Sequence, residues 1–597
     1  MNTAERHALV FGASGLVGRH LVLALGRAGV RVSAASRSSG SYRRLTRWLA
    51  DHGHGHVPAD LRVDFAAPPL LSGDPTAWAD VTEIYNCAGA YRFGMSAEEA
   101  RRANVDSVRA IVDFAAGLPR LRRLVHVSGY RVGGQDPGLV QCSDERRRDT
   151  YRALGAYEAS KVEADVVFQA DADRLGVPWS LVNPSSVIGD SATGESDQQL
   201  GLASSVQEIW QGTVMALPGN ASTFVPVVPV DHLARFMTRL PVDEASRGGA
   251  YWVLDDATPA LPDLLALVGT HYRVRVPRAR VPVSLIKRLP PALTRTDPET
   301  LTFLSSDRYP TDSAKAFAAR HGLAMPDTTM SILRWADHLA AHRFGTAPAG
   351  DRRFVAPAGV RTFELGKPDA STVVLPGLPV NADTWASVCE ALGEARVVDL
   401  PGLGLSAGRR ADWSAWLAAL VTATGARHLV GHSIGAAAAL AAATAHPRSV
   451  ERLTLVSPFF LQAPTGGAGR WAPLTRWYLH RVGAAALAQR LTGDAAYAGV
   501  LGSTVADLRR GVVAANVARL LADAGRQRWR EGLRSELRRF PGPVHVIVGG
   551  DDPLTPEARA LLETLPQAGV SVIAGAGHHP QLTHPADVAR AISRPPA

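Results

Sequence analysis

Cysteine is scarce in this chain. Three occur in 597 residues, Cys87, Cys142 and Cys389. They stand far apart, with no metal-ligand spacing and no disulfide framework, which fits a reducing cytoplasm. No uninterrupted apolar run reaches the roughly twenty residues of a membrane span. The alanine-rich stretch 436–445 is too short and too weakly apolar. No long Lys/Arg tract appears either. Arg146-Arg147-Arg148 is the sharpest basic cluster, and a net charge of +9 over this length is mild. No motif points to nucleic acid. The first residues run directly into an apolar strand, so no signal peptide is expected. Nothing in the sequence specifies an oligomeric state.

What is present is ordinary α/β material, 46% hydrophobic and 20% charged, long enough for several domains. The stretch from Ala8 to Leu21 organises the first half. Ala8–Phe11 reads as a buried parallel strand. Gly12, Gly15 and Gly18 follow, with Ser14 between the first two, and a helical pattern begins beyond them. Strand, glycine turn and helix are the context of a dinucleotide fingerprint. Gly12 permits a tight turn and Gly15 lets backbone approach a pyrophosphate. Gly18 lets helix lie close to strand, and the helix N-terminus supplies amide donors.

Val30–Ala35 reads as the second strand. An acidic residue at its end would bind the adenosine ribose hydroxyls, but Ser36 and Arg37 stand there. Arg37, with Arg43 and Arg44 nearby, suits a 2′-phosphate and so NADPH. Leu61–Asp64 is a third strand, with Asp64 at the adenine position. Ile84–Ala90 is a fourth, and its small residues, Ala88 among them, leave room for a cofactor. Leu124–Ser128 is a fifth. The alternation with helices predicts a parallel, doubly wound sheet. Tyr157 and Lys161 then fall four apart in a helical pattern and share a face. A neighbouring ammonium lowers the pKa of a phenol. Such a pair can protonate an oxygen as hydride reaches its carbon, while the lysine also binds the cofactor ribose.

These motifs resemble the short-chain dehydrogenase/reductase superfamily, particularly its extended branch, over roughly residues 1–340. Asn183–Asp190 and Ser191–Glu195 look like the substrate-side loop of extended members, thioester and acyl reductases included. The resemblance implies a Rossmann-type domain and NADP(H), with Tyr157 and Lys161 as the catalytic pair. One departure matters. The family pattern puts Gly129 where a substrate-orienting hydroxyl is usual. Ser128 lies one residue earlier, so in a regular strand it faces the other way. Either the strand end is irregular and Ser128 serves, or another group such as Tyr130 holds the oxygen.

A second α/β pattern begins beyond a turn-rich, charged linker at 346–355. Thr372–Leu378 reads as a buried strand ending in a turn, Ala395–Ser406 as a strand and loop, and Arg427–Ala436 as strand, turn and the start of an alanine-rich helix. Gly431-His432-Ser433-Ile434-Gly435 matches G-x-S-x-G, between a strand and an alanine-rich helix. The acid is expected next, then the histidine. Asp552 precedes Pro-Leu-Thr-Pro after the strand at Val544, ahead of Asp551 as candidate. His578 follows a glycine, with His579 second. This half resembles the α/β-hydrolase superfamily, over about 356–597. Ser433 would be the nucleophile, His578 the base and Asp552 its partner, with the Leu378 and Ile434 amides holding the oxyanion. A cap is expected at about 459–540. Its Trp471, Trp477, Tyr478, Leu491 and Trp529 read either as cap core or as an apolar acyl pocket.

The expected protein is therefore a Rossmann-type reductase domain, 1–345, fused to a serine hydrolase domain that acts on an ester or thioester. A nucleotide-sugar epimerase or dehydratase is an alternative for the first half. So is one half serving only as a binding or regulatory module. No metal is expected; a small, apolar carbonyl or ester substrate is.

Overall fold

The computed structural model describes residues 5–89, 94–136, 138, 144–286, 304–347, 350–464 and 471–594. Cys142 and Ala90 lie outside the described residues. The chain divides into two units. One comprises Met1–Ile209, Val214–His271 and Val276–Leu339; the other comprises Trp210–Thr213, Tyr272–Arg275 and Ala340–Ala597.

In the first unit, strand β1 (His7–Phe11) is buried along its whole length. Its side chains alternate between two cores, Ala8 and Val10 in one, Leu9 and Phe11 in the other. Both faces are therefore covered, as a central parallel strand requires. The other strands are β2 (Arg31–Ser36), β3 (Ala59–Val63), β4 (Leu71–Ser72), β5 (Glu83–Asn86), β6 (Arg123–Val127), β7 (Trp179–Pro184) and β8 (Gly249–Val253). They form one sheet in the order β8-β7-β6-β5-β1-β2-β3-β4, parallel except where β4 joins β3. The sheet winds outward in both directions from β1 and β5. Their carboxyl ends diverge there and open a crevice. Asn183 and Pro184, expected in a substrate-side loop, instead close strand β7.

The second unit holds β9 (Arg352–Val355), β10 (Thr362–Gly366), β11 (Thr372–Leu375), β12 (Ala395–Val398), β13 (His428–His432), β14 (Arg452–Val456), β15 (Val544–Gly549) and β16 (Ala568–Ile573). Their order is β9-β10-β12-β11-β13-β14-β15-β16. Strands β9 and β10 pair antiparallel and the rest run parallel from β12 onward. Arg352–Val355, within or beside the expected linker, is thus an edge strand of this sheet. The region from Ala472 to Arg539 is helical throughout its regular structure, as the cap reading anticipates.

Candidate active sites

The loop after β1 is set by glycine geometry. Gly12 has φ +73°, and a Cβ there would lie 2.6 Å from the Cys87 carbonyl oxygen. A Cβ on Gly18, in helix α1 (Leu16–Arg27), would lie 2.1 Å from the Gly12 carbonyl oxygen. Gly15 is the N-cap of α1 and no side chain caps that end. Its first amides remain available to an anion. Ser14 lies in the turn, half-buried. Ser36 is buried at the end of β2 and Arg37 is exposed immediately after it. Asp64 lies just past β3, exposed, where it accepts from the Ala66 amide at 2.8 Å. The Ala88 amide donates to Asn86 Oδ1 at 3.0 Å, which fixes the turn after β5. The tight Gly12 turn, the open helix end and the exposed arginine fit a nicotinamide dinucleotide.

Helix α2 (Ala156–Leu175) carries Tyr157 and Lys161. Both line a cavity of 330 Å³ together with Gly15, Ala88, Gly89 and Ser128. The Lys161 ammonium packs on bare backbone, since a Cβ on Gly89 would meet Lys161 Nζ at 3.1 Å. Burial pushes Lys161 down to about 8, against the attraction of Asp165 one turn further along. Asp165 has no exposed surface, and burial raises it to about 6. No local spacing marks Asp165 as part of the site. Ser128 lines the cavity, but its hydroxyl donates to Asp165 Oδ1 at 2.8 Å. Gln169 Nε2 donates to the other carboxylate oxygen at 2.9 Å. Tyr130 lines the same cavity and stacks edge-on to Tyr309.

In the second unit the turn after β13 puts Ser433 at φ +51°, ψ −109°, a conformation that side chains resist. Its neighbours make the turn possible. A Cβ on Gly431 would lie 2.4 Å from the Gly435 carbonyl oxygen, and one on Gly435 would lie 2.1 Å from that of Leu375. The helix that follows, α3 (Ile434–Ala445), lies close on the sheet through its alanines.

The Ser433 hydroxyl is 2.9 Å from His578 Nε2, and His578 Nδ1 is 2.6 Å from Asp552 Oδ2. Asp552, not Asp551, is the acid in contact. Gln462 Nε2 donates to both the carbonyl and the carboxylate of Asp552, a contact no spacing foretold. His432 ties three loops together. The Gly377 amide donates to its Nδ1 at 3.2 Å, and its Nε2 donates to the His578 carbonyl at 3.0 Å. Burial holds His432 down at about 3, so the ring is neutral and can accept at Nδ1. His579 is buried, and burial likewise drives it well below the usual range. Leu378 follows Gly377 and is buried. Ile434 opens its helix, so its amide has no acceptor within it.

The loop beyond Leu378 is anchored by buried charge. Asn381 Nδ2 donates to Asp507 Oδ2 at 2.7 Å. Arg343 grips Asp507 with both terminal nitrogens, at 3.0 and 2.9 Å, and also pairs with Asp383. Arg352 pairs with Asp383 as well. In the cap, Trp471 and Trp477 are 64% and 55% exposed, so neither belongs to a cap core or closed pocket as expected. Tyr478, Leu491 and Trp529 do pack against the core.

Fold and sites together define an enzyme of two units, one NAD-binding and reductase-type, the other hydrolase-type. Residues 372–591 belong to the alpha/beta hydrolase family, and residues 75–237 match the NAD-binding family described as male sterility protein. The chain is 31% identical over 250 residues to a pimeloyl-[acyl-carrier protein] methyl ester esterase of Aromatoleum aromaticum, covering 38% of this chain and 96% of that one. It is 34% identical over 143 residues to an N-formylmaleamate deformylase of Pseudomonas putida, covering 21% of this chain and about half of that one, 52%. Among solved structures it is similar to the terminal R domain from the myxalamid PKS-NRPS biosynthetic pathway. That likeness has 19% identity and a TM-score of 0.46, and covers 58% of this chain and 93% of that one. No described helix is long and apolar enough to cross a membrane.

Proposed function

We propose that this chain is a bifunctional enzyme, an NADPH-dependent reductase of a carbonyl or acyl compound joined to a serine hydrolase of an ester or thioester. For the hydrolase half, the observation that carries the reading is the unbroken chain Ser433–His578–Asp552. His578 takes the Ser433 proton as the hydroxyl oxygen attacks the substrate carbonyl. Asp552, held by Gln462, keeps Nδ1–H engaged so that Nε2 faces the serine. The Leu378 and Ile434 amides hold the developing oxyanion. Loss of the alcohol or thiol leaves an acyl-Ser433, which water then releases by the same route. The A. aromaticum relative is an esterase by name, which supports the ester class.

For the reductase half, the observation is that Tyr157 and Lys161 share a cavity with the glycine turn. A bound nicotinamide supplies the hydride. Tyr157 gives its proton to the substrate oxygen, and the Lys161 ammonium stabilises the phenolate left behind. Ser128, whose one hydroxyl proton is donated to Asp165, does not donate to that oxygen in this arrangement. Arg37 holds the ribose 2′-phosphate. Its loss in Arg37→Ala is expected to cost about 1.5–3 kcal/mol of NADPH binding and leave NADH binding unchanged. Equal affinities of the wild type for both cofactors would overturn the NADPH assignment.

One experiment addresses both halves. The full chain is labelled with a fluorophosphonate and mapped by mass spectrometry, and NADPH oxidation is followed with an aldehyde panel. Wild type is expected to carry the label on Ser433 and to oxidise NADPH. Ser433→Ala should lose only the label, and Tyr157→Phe only the oxidation, with cofactor binding retained. Labelling at another residue removes the hydrolase reading, and turnover surviving in Tyr157→Phe removes the reductase one.

A further inference from the structure

The members of the hydrolytic site are fastened separately. The Ser433 amide donates to the Val456 carbonyl at 2.9 Å, which pins the nucleophile turn to β14. The Asp551 amide donates to the Ala576 carbonyl at 3.0 Å, which joins the acid turn to the loop before His578. Neither bond reaches the loop after β11, the one that offers the Leu378 amide. The side chain that does reach it is His432, which has no exposed surface. Its Nδ1 accepts the Gly377 amide at 3.2 Å, and its Nε2 donates to the His578 carbonyl at 3.0 Å. One ring thus spans the oxyanion loop and the base loop. It is closely flanked. The Trp385, His578 and His579 rings stand at 5.8, 5.6 and 5.1 Å between centroids. A Cβ on Gly377 would lie 2.6 Å from Nδ1.

The two bonds ask opposite things of the ring, an acceptor at Nδ1 and a donor at Nε2. Only the neutral imidazole with its proton on Nε2 supplies both. We infer that His432 is a positioning residue of the hydrolase: it sets the oxyanion amide and the histidine base in register on either side of Ser433. This inference rests on the serine hydrolase reading. Burial keeps the ring neutral down to about 3, so both ties persist wherever an imidazole base can work. Being buried, His432 touches no substrate and acts only through the two loops. Gln462 cannot replace it, because its bonds go to Asp552 and fix the acid alone. Donors to an oxyanion and a base to its nucleophile work only when both are held in place beforehand. A shift of about an ångström at either one costs on the order of a hundredfold.

The test uses the full chain with 4-nitrophenyl butyrate as substrate, and three variants. His432→Leu offers neither donor nor acceptor. His432→Asn puts an amide oxygen where Nδ1 stands and can keep the Gly377 tie. His432→Gln puts an amide nitrogen where Nε2 stands and can keep the His578 tie. In His432→Leu, kcat is expected to fall about a hundredfold, with KM within about twofold of the wild type. His432→Asn and His432→Gln should each fall about tenfold, one tie being lost and one kept. Urea midpoints followed by circular dichroism accompany each rate. A merely structural role makes kcat follow the midpoint, whereas a positioning role makes it follow the hydrogen bonds retained. Should His432→Leu fail to fold, the two amide variants decide: a tenfold loss of kcat at an unchanged midpoint supports the inference. Wild-type kcat in both amide variants overturns it. So does a loss confined to KM, or rates that simply track the midpoints. A wild type that hydrolyses no ester and takes no fluorophosphonate at Ser433 refutes the hydrolase reading itself. An active wild type with indifferent variants refutes the role of His432 alone.

Discussion

A serine hydroxyl has one proton to give, and Ser128 gives it to Asp165. That single contact decides what Ser128→Ala should do. The variant leaves the Tyr157 proton in place, so its expected loss in carbonyl reduction is about tenfold or less, against near-abolition in Tyr157→Phe, measured as kcat/KM. The same carboxylate bears on pH. Lys161 loses its proton at about 8 because burial disfavours the ammonium, while Asp165 opposes that fall. Below that value the charge is present and stabilises a phenolate; above it the charge is lost. Reductase activity is therefore expected to decline as pH rises through about 8. Asp165→Asn removes the attraction that sustains the ammonium, so the decline should move to lower pH in a pH–rate profile. A profile unmoved by this substitution separates Asp165 from the proton chemistry. Tyr157 and Lys161 were legible in the sequence because they lie one helical turn apart. Ser128 and Asp165 are joined only by the packing of β6 against α2, and no local spacing records such a pair.

Whole elements were legible where the physics is local. The buried strands announce themselves as apolar runs, and the two glycine turns as breaks between strand and helix. β7 was less evident, since its carboxyl end carries Asn183 and Pro184. β9 was hidden for another reason. Its four residues include Arg352 and Arg353, which read as a charged join, yet those arginines pair with Asp383 and Glu364. At this scale the loop after β11 yields a prediction. A Cβ on Gly377 would meet His432 Nδ1 at 2.6 Å and Ser433 Cβ at 2.7 Å. Gly377→Ala must displace either the loop that offers the Leu378 amide or the serine turn itself. A shift of about an ångström at a reacting group costs on the order of a hundredfold. Ester hydrolysis should fall by about that much and fluorophosphonate labelling should slow with it, while NADPH oxidation stays at its wild-type rate. Wild-type hydrolysis in this variant would show that the loop tolerates the shift.

For the molecule as a whole, the sequence reads as two α/β halves joined at 346–355, and the second unit includes the chain from Ala340 onward. Arg343 stands before the turn-rich segment, yet it pairs with Asp383 and Asp507 of the second unit. A fragment beginning at Arg353 would lack both Arg343 and Arg352 and leave the buried carboxylates of Asp383 and Asp507 without their arginine partners. Removing one partner of such a pair costs about 3–5 kcal/mol. The fragment from Arg353 is expected to unfold at distinctly lower urea than one from Ala340, when both are followed by circular dichroism. Equal midpoints would show that the charge cluster contributes little.

The Arg343 cluster also bears on how such a chain can be inherited. The turn-rich, charged stretch around 347–353 looks like a natural place for genes to recombine. A crossover there would deliver Asp383 and Asp507 into an offspring that takes the residue at position 343 from a different parent. Only parents that both carry an arginine at that position could exchange halves at that point without harm. For any others the heritable cassette begins upstream of Arg343, inside what the sequence presents as the end of the preceding domain.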